Sequence, residues 1–147
     1  MSETVATKSI VVERMLPHPP AKVWKALTTD ELIGKWLMDN DFEPLVGHRF
    51  NFRATPIPGA WNGISDCEVL EVDPPRRLAW RQQAAGDQKA DGLDTVVTWT
   101  LTPVEGGTQV RMVQTGFRPQ DEMAHQMMSG GWPRIVEGLG RVAGELD

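Results

Sequence analysis

A chain of 147 residues, 24% charged and 40% apolar with a net charge of −5, suits one domain of ordinary globular composition with a single core. The negative balance disfavours nucleic acid as a partner, because a broad phosphate interface needs clustered Lys and Arg, and Arg76-Arg77 is the nearest such pair. The single cysteine, Cys67, rules out an internal disulfide; no apolar run approaches the roughly 20 residues of a membrane span; and the polar opening MSETVATKS lacks the apolar core of a signal peptide, so a reducing, cytoplasmic setting is expected.

Residues 1–8 are polar and expected to fray. Residues 9–15 read as a strand, with Ile10, Val11 and Val12 in succession, ended by Pro17, Pro19 and Pro20. Proline is accepted in a first helical turn, so a helix begins at Pro19 or Pro20 with Val23, Trp24 and Leu27 on one face. Thr28, with Glu31 three residues on, forms a capping box for a second short helix over residues 30–37, which presents Leu32, Ile33, Trp36 and Leu37. Residues 38–44 are acidic and loop-like.

Five strands follow, over residues 47–54, 63–72, 77–83, 95–103 and 108–115. Phe50 and Phe52, Leu78 and Trp80, Val97, Trp99 and Leu101, and Val110 and Met112 each share a face at period two. Short turns such as Glu105-Gly106-Gly107 imply an antiparallel meander. Residues 120–146 then form a long amphipathic helix carrying Met123, Met127, Trp132, Ile135, Val136, Leu139, Val142 and Leu146, mostly three or four apart. Pro133, after Gly130-Gly131, predicts a kink or restart near Trp132. The class is therefore α+β: a curved antiparallel sheet wrapped around a long C-terminal helix, with two short helices after the first strand. A helix of about 25 residues spans roughly 37 Å, and a sheet gripping it leaves space between them.

Several runs resemble the SRPBCC or START-like superfamily with its helix-grip fold, in the branch of Activator of Hsp90 ATPase homologue-like proteins. They are Pro-Pro-Ala-Lys-Val-Trp-Lys-Ala-Leu-Thr at 19–28, Lys35-Trp36-Leu37, Val-Leu-Glu-Val-Asp-Pro-Pro-Arg-Arg-Leu at 69–78, Thr98-Trp99-Thr100-Leu101 with the turn Glu105-Gly106-Gly107-Thr108, and Gly131-Trp132. The resemblance spans Ile10 to Leu146 and departs at Pro133, where this branch usually continues smoothly in helix. It implies binding of a hydrophobic or amphipathic small molecule. It also leaves open a chaperone-associated interaction module and an enzyme like the polyketide cyclases or aromatases.

The side chains offer little catalytic chemistry. His18, His48 and His125 show no metal-ligand spacing, and neither a metal nor a cofactor is expected. His18 is expected to face solvent, and His125 lies where it can reach a cavity mouth. Cys67 is flanked by Asp66 and Glu68, which oppose thiolate formation. Asp39, Asp41 and Glu43 read as a solvated loop. Asp66, Glu68 or Glu71 becomes a site candidate if one points inward; strand phase is ambiguous there, because Cys67, Val69 and Glu71 share one face while Leu70 and Val72 share the other. The signal lies in the wide apolar side chains Trp24, Trp36, Phe50, Phe52, Trp80, Trp99, Met112, Met127, Met128, Trp132 and Ile135, which suit both a core and the walls of a ligand cavity. Arg53, Arg81, Arg111 and Gln114 supply polar contacts if they face inward. Exposed sheet edges are compatible with a monomer or a homodimer.

Overall fold

The computed structural model describes residues 7–59 and 61–146; the expected fraying of residues 1–6 lies outside that range. Seven strands form one antiparallel sheet: β1 (Lys8–Leu16), β2 (Asp39–Asn40), β3 (Arg49–Arg53), β4 (Ile64–Asp73), β5 (Arg77–Ala84), β6 (Asp94–Val104) and β7 (Gly107–Phe117). Their order is β1-β7-β6-β5-β4-β3-β2, a meander from β2 to β7 with β1 added beside β7. Helices α1 (Pro20–Thr28) and α2 (Asp30–Trp36) separate β1 from β2, and α3 (Glu122–Gly144) closes the chain. This is the helix-grip arrangement, with a curved sheet and a long C-terminal helix. No described helix is long and apolar enough to cross a membrane.

Period-two alternation sends one face of every strand inward. Ile10, Val12 and Leu16 of β1, Val110 and Met112 of β7, Val97, Trp99 and Leu101 of β6, Leu78 and Trp80 of β5, Cys67 and Val69 of β4, and Phe50 and Phe52 of β3 are all buried. Against them α3 lays Trp132, Val136, Leu139, Val142 and Ala143, at spacings of three and four, and α1 and α2 add Val23, Leu27, Ile33 and Trp36. Each such side chain contributes about 1.5–3 kcal/mol on burial. Two glycines allow close approach. A Cβ on Gly140 of α3 would stand 2.8 Å from Leu16 Cδ2, and one on Gly107 would meet the Leu16 carbonyl.

Five local expectations are corrected. The stretch read as a loop after α2 contains β2, where Asp39 pairs Arg53 and Asn40 pairs Phe52. Thr28 does not cap α2: its hydroxyl donates to the Trp24 carbonyl at 2.7 Å, one turn back, and Thr29 occupies the cap. Lys8 belongs to β1, and its Nζ meets Glu122 at 2.8 Å. Pro133 does not restart α3, which runs unbroken over 23 residues; the lost N–H bond is outweighed by the apolar face on either side, packed from Trp132 onward. The fifth is a β-bulge. Val69 pairs Trp80 but Glu71 pairs Ala79, so Leu70 is the extra residue. The bulge reverses the phase of β4, which turns Val72 toward the core and Glu71 outward.

Candidate functional site

The inner face of the sheet and α3 enclose a column of aromatic rings. Phe42 meets Phe50 with centroids 5.2 Å apart, Phe50 meets Phe52 at 5.3 Å, Phe52 meets Trp80 at 5.6 Å and Trp80 meets Trp99 at 6.2 Å. Trp99 in turn meets Trp36 of α2 at 5.6 Å and Trp132 of α3 at 5.8 Å, both nearly edge to face. Of the eleven residues expected to line a cavity, Trp36, Phe50, Phe52, Trp80, Trp99, Met112 and Trp132 are thus buried together in one cluster. Trp24, Met128 and Ile135 are half-buried and pack against its rim. Met127 does not join it and is 49% exposed.

A line of polar groups crosses this apolar face. Trp132 Nε1 donates to Gln114 Oε1 at 2.8 Å, Gln114 Nε2 donates to Thr95 Oγ1 at 3.0 Å, and Thr95 Oγ1 donates to the Gln82 carbonyl at 3.0 Å. Trp80 Nε1 donates to Gln82 Oε1 at 3.1 Å. Gln82, Thr95 and Gln114 are all buried. Each continues the inward alternation of its strand: Gln82 after Leu78 and Trp80, Thr95 before Val97 and Trp99, Gln114 after Val110 and Met112. Extending the period by one step locates all three; sequence reasoning named only Gln114. Phe42 was also missed, because it sits among the acidic residues of an expected loop.

Gln114 alone of the four proposed polar contacts faces inward. Arg53, Arg81 and Arg111 lie on the outer face in ion pairs with Asp41 (3.7 Å), Asp94 (2.6 Å) and Glu13 (2.6 Å). Glu71 pairs with Arg77 at 2.8 Å and Asp66 with Lys89 at 3.1 Å, both on the outer side. A hollow of about 440 Å³ between Arg49, Asn51, Asp66, Glu68, Arg81 and Lys89 is on that outer side as well. Cys67 is buried, and burial, reinforced by the neighbouring Asp66, pushes its thiol far above the ordinary range. This suits a small core side chain and not a nucleophile.

The histidines serve the scaffold. His125 Nε2 lies 3.2 Å from the Ser9 carbonyl, with its ring against Phe117 at 5.1 Å, and so ties the start of α3 to β1. His48 Nε2 lies 2.9 Å from the Asp41 carbonyl. His18 is half-buried against Gly144, not free in solvent. Among the described residues no three His, Cys, Asp or Glu side chains converge to hold a metal. Ahead of α3, Arg118 forms a clasp: Nε reaches Asp121 Oδ2 at 2.8 Å, and its terminal nitrogen reaches the Asp91 and Gly92 carbonyls at 3.0 and 2.8 Å. The Arg118 guanidinium holds the Asp121 carboxyl below the usual carboxylate range.

The arrangement is a set of aromatic rings packed on one another, with a few neutral polar groups bonded among them. It offers no base, nucleophile or charge at the rings.

Comparison with known proteins places this geometry. A Mesorhizobium loti protein of known structure is 46% identical, with 95% of this chain and 99% of that one covered and a TM-score of 0.85. The Aha1 dimer from Colwellia psychrerythraea is 27% identical over 90% of this chain and 93% of its own, with a TM-score of 0.71. DynU16, a protein in the dynemicin biosynthetic locus, is 25% identical over 93% of this chain but 47% of its own length, with a TM-score of 0.74. No curated protein matches the chain. The family model for "Activator of Hsp90 ATPase homolog 1-like protein" matches residues 17–144, nearly the whole length, and the chain belongs to that family.

Proposed function

We propose that the protein binds a hydrophobic or amphipathic small molecule between the inner face of the sheet and α3. The observation that carries this is the buried line Trp132–Gln114–Thr95–Gln82, which runs through an otherwise apolar cluster. Polar side chains at such positions stabilise a core less than apolar ones of the same shape. Ligand sites, in contrast, combine apolar walls with a few placed polar groups.

The route in lies beside the first half of α3. Met123 and Met127 are 70% and 49% exposed there, while Met128 and Ile135 form the half-buried rim. Methionine is flexible enough to move aside and repack around a guest. Pro133 supplies no N–H, which leaves the helix one bond weaker between this half and the anchored Trp132–Ala143 face.

Titration with N-phenyl-1-naphthylamine, a neutral apolar fluorophore, tests the reading. Saturable one-to-one binding with energy transfer from tryptophan is expected. Met128→Lys should weaken it about tenfold, while Val104→Lys, at an exposed position of β6, should leave it unchanged. Absence of saturation, or equal affinity in the two variants, refutes the site.

A further inference from the structure

One polar group in the aromatic column takes no part in the line of hydrogen bonds. Trp99 is fully buried, and its Nε1 has no partner among the described residues, the one buried side-chain nitrogen or oxygen in that condition. Its neighbours are different. Trp36 Nε1 donates to the Ala26 carbonyl at 2.9 Å, Trp80 Nε1 to Gln82 Oε1 at 3.1 Å, and Trp132 Nε1 to Gln114 Oε1 at 2.8 Å. Buried donors are nearly always paired, because an unpaired one forfeits the bond it had with water. Around Trp99 stand the rings of Trp36, Trp132 and Trp80 and its cross-strand partners Leu78 and Met112. An aromatic face is a weak acceptor compared with a carbonyl oxygen.

The surroundings also set the charge of what fits. Arg53, Arg81 and Arg111 are ion-paired on the outer face, and no Lys or Arg among the described residues is buried with the rings to receive an anion. Taking an unpaired charge into such a site is strongly unfavourable. Trp36, Trp80 and Trp132 each have an acceptor, which leaves the Trp99 indole as the fully buried side-chain donor without one among the described residues. The rings of Trp36, Trp132 and Trp80 lie 5.6, 5.8 and 6.2 Å from that of Trp99, so the indole is set among flat aromatic surfaces that suit a flat aromatic guest.

The geometry points to Trp99 Nε1 as the donor that recognises a neutral carbonyl or ether oxygen on a flat aromatic ligand. This rests on the binding site proposed above and specifies its ligand class. A saturated lipid chain or a carboxylate does not satisfy it.

Three ligands of one shape separate the two statements: 9-fluorenone, which carries the acceptor; fluorene, which lacks it; and fluorene-9-carboxylate, which is charged. Affinities are measured by calorimetry, and the Trp99 indole signal is followed in ¹⁵N–¹H spectra, assigned through its contacts to Trp36 and Trp132. Fluorenone is expected to bind about 3- to 10-fold more tightly than fluorene, the range of one net hydrogen bond. It should move the Trp99 signal downfield where fluorene does not, and the carboxylate should bind more weakly than either. Trp99→Phe should reduce fluorenone to the affinity of fluorene. The ketone–hydrocarbon comparison is read on the unmodified protein, so it stands whether or not that variant folds. Equal affinities for ketone and hydrocarbon, or an unmoved Trp99 signal, overturn the donor role and leave the binding site intact. A carboxylate that binds as tightly as fluorenone overturns the neutral ligand class. If neither fluorene nor fluorenone binds, both the donor role and the binding site fall.

Discussion

Gln114→Leu tests whether the buried polar line is a real bonded unit. Gln114 is fully buried, accepts from Trp132 Nε1 at 2.8 Å and donates to Thr95 Oγ1 at 3.0 Å. Leucine is close in volume, so the substitution removes the bonds with little change in packing. Thr95 keeps its bond to the Gln82 carbonyl at 3.0 Å, so its loss is small. Trp132 Nε1 is left with no acceptor, at a cost of about 1–3 kcal/mol. Burying leucine in place of an amide returns about 1 kcal/mol, so the net loss is about 0–2 kcal/mol. Trp132→Phe removes the other partner and leaves Gln114 Oε1 without its donor, with a void in addition. The double variant removes both partners, so its loss should fall short of the sum of the singles by about 1 kcal/mol or more. Urea unfolding followed by fluorescence, with all four proteins compared at constant slope, measures this. Additive losses, with no shortfall in the double variant, would refute the reasoning.

Three further outcomes follow from particular contacts. Asp121 is held below its ordinary value of 3.8 by Arg118, so the clasp contributes fully above that value and its contribution is lost as pH falls below it. Urea midpoints measured from pH 7 to 3 should therefore drop less in Asp121→Asn than in the parent, with the variant about 1–2 kcal/mol weaker at pH 7; an unchanged pH slope counts against the clasp. Gly130 has open space where a Cβ would stand, whereas one on Gly140 would meet Leu16 Cδ2 at 2.8 Å. Gly130→Ala should thus stabilise by about 0.5–1 kcal/mol and Gly140→Ala destabilise by about 1–3 kcal/mol; thermal unfolding with the order reversed would contradict the packing of α3 on β1. Cys67, buried and with its thiol pushed up, should react with a disulfide reagent only at the rate of unfolding, and rapid labelling of the folded protein would place it elsewhere.

The polar line and the aromatic column belong to one surface, and each depends on the other. Trp132 spans from α3 to β7 through Gln114, and the same ring closes on Trp99 of β6. The scaffold is tied at both ends of α3. At the start stand the Arg118–Asp121 clasp and the His125–Ser9 contact; at the end, Gly140 lies against Leu16.

Periodicity and the order of elements were enough for an antiparallel sheet around a long C-terminal helix, and the family resemblance implied the helix-grip class. Alternation in Val97, Trp99 and Leu101, and three- and four-residue spacing in Trp132, Val136 and Leu139, are local consequences of strand and helix geometry and can be read from the chain directly. The same patterns picked out the aromatic cluster, and seven of the eleven residues named as candidates are buried together. Direction was harder. The inward turn of Val72 and outward turn of Glu71 depend on the bulge at Leu70, which is set by the pairing of β4 with β5 and leaves no mark in β4 alone. Arg53, Arg81 and Arg111 face outward because each finds a carboxylate on a neighbouring strand or loop. The bonds of Gln114, Thr95, Gln82 and Trp132 join residues up to 18 or 19 apart in sequence across different elements, and the unpaired Trp99 indole is defined only against its three ring neighbours. Short-range periodicity thus determined which residues face the core. Which polar atoms meet, and which one stays open, is a property of long-range contacts that only the tertiary structure brings together.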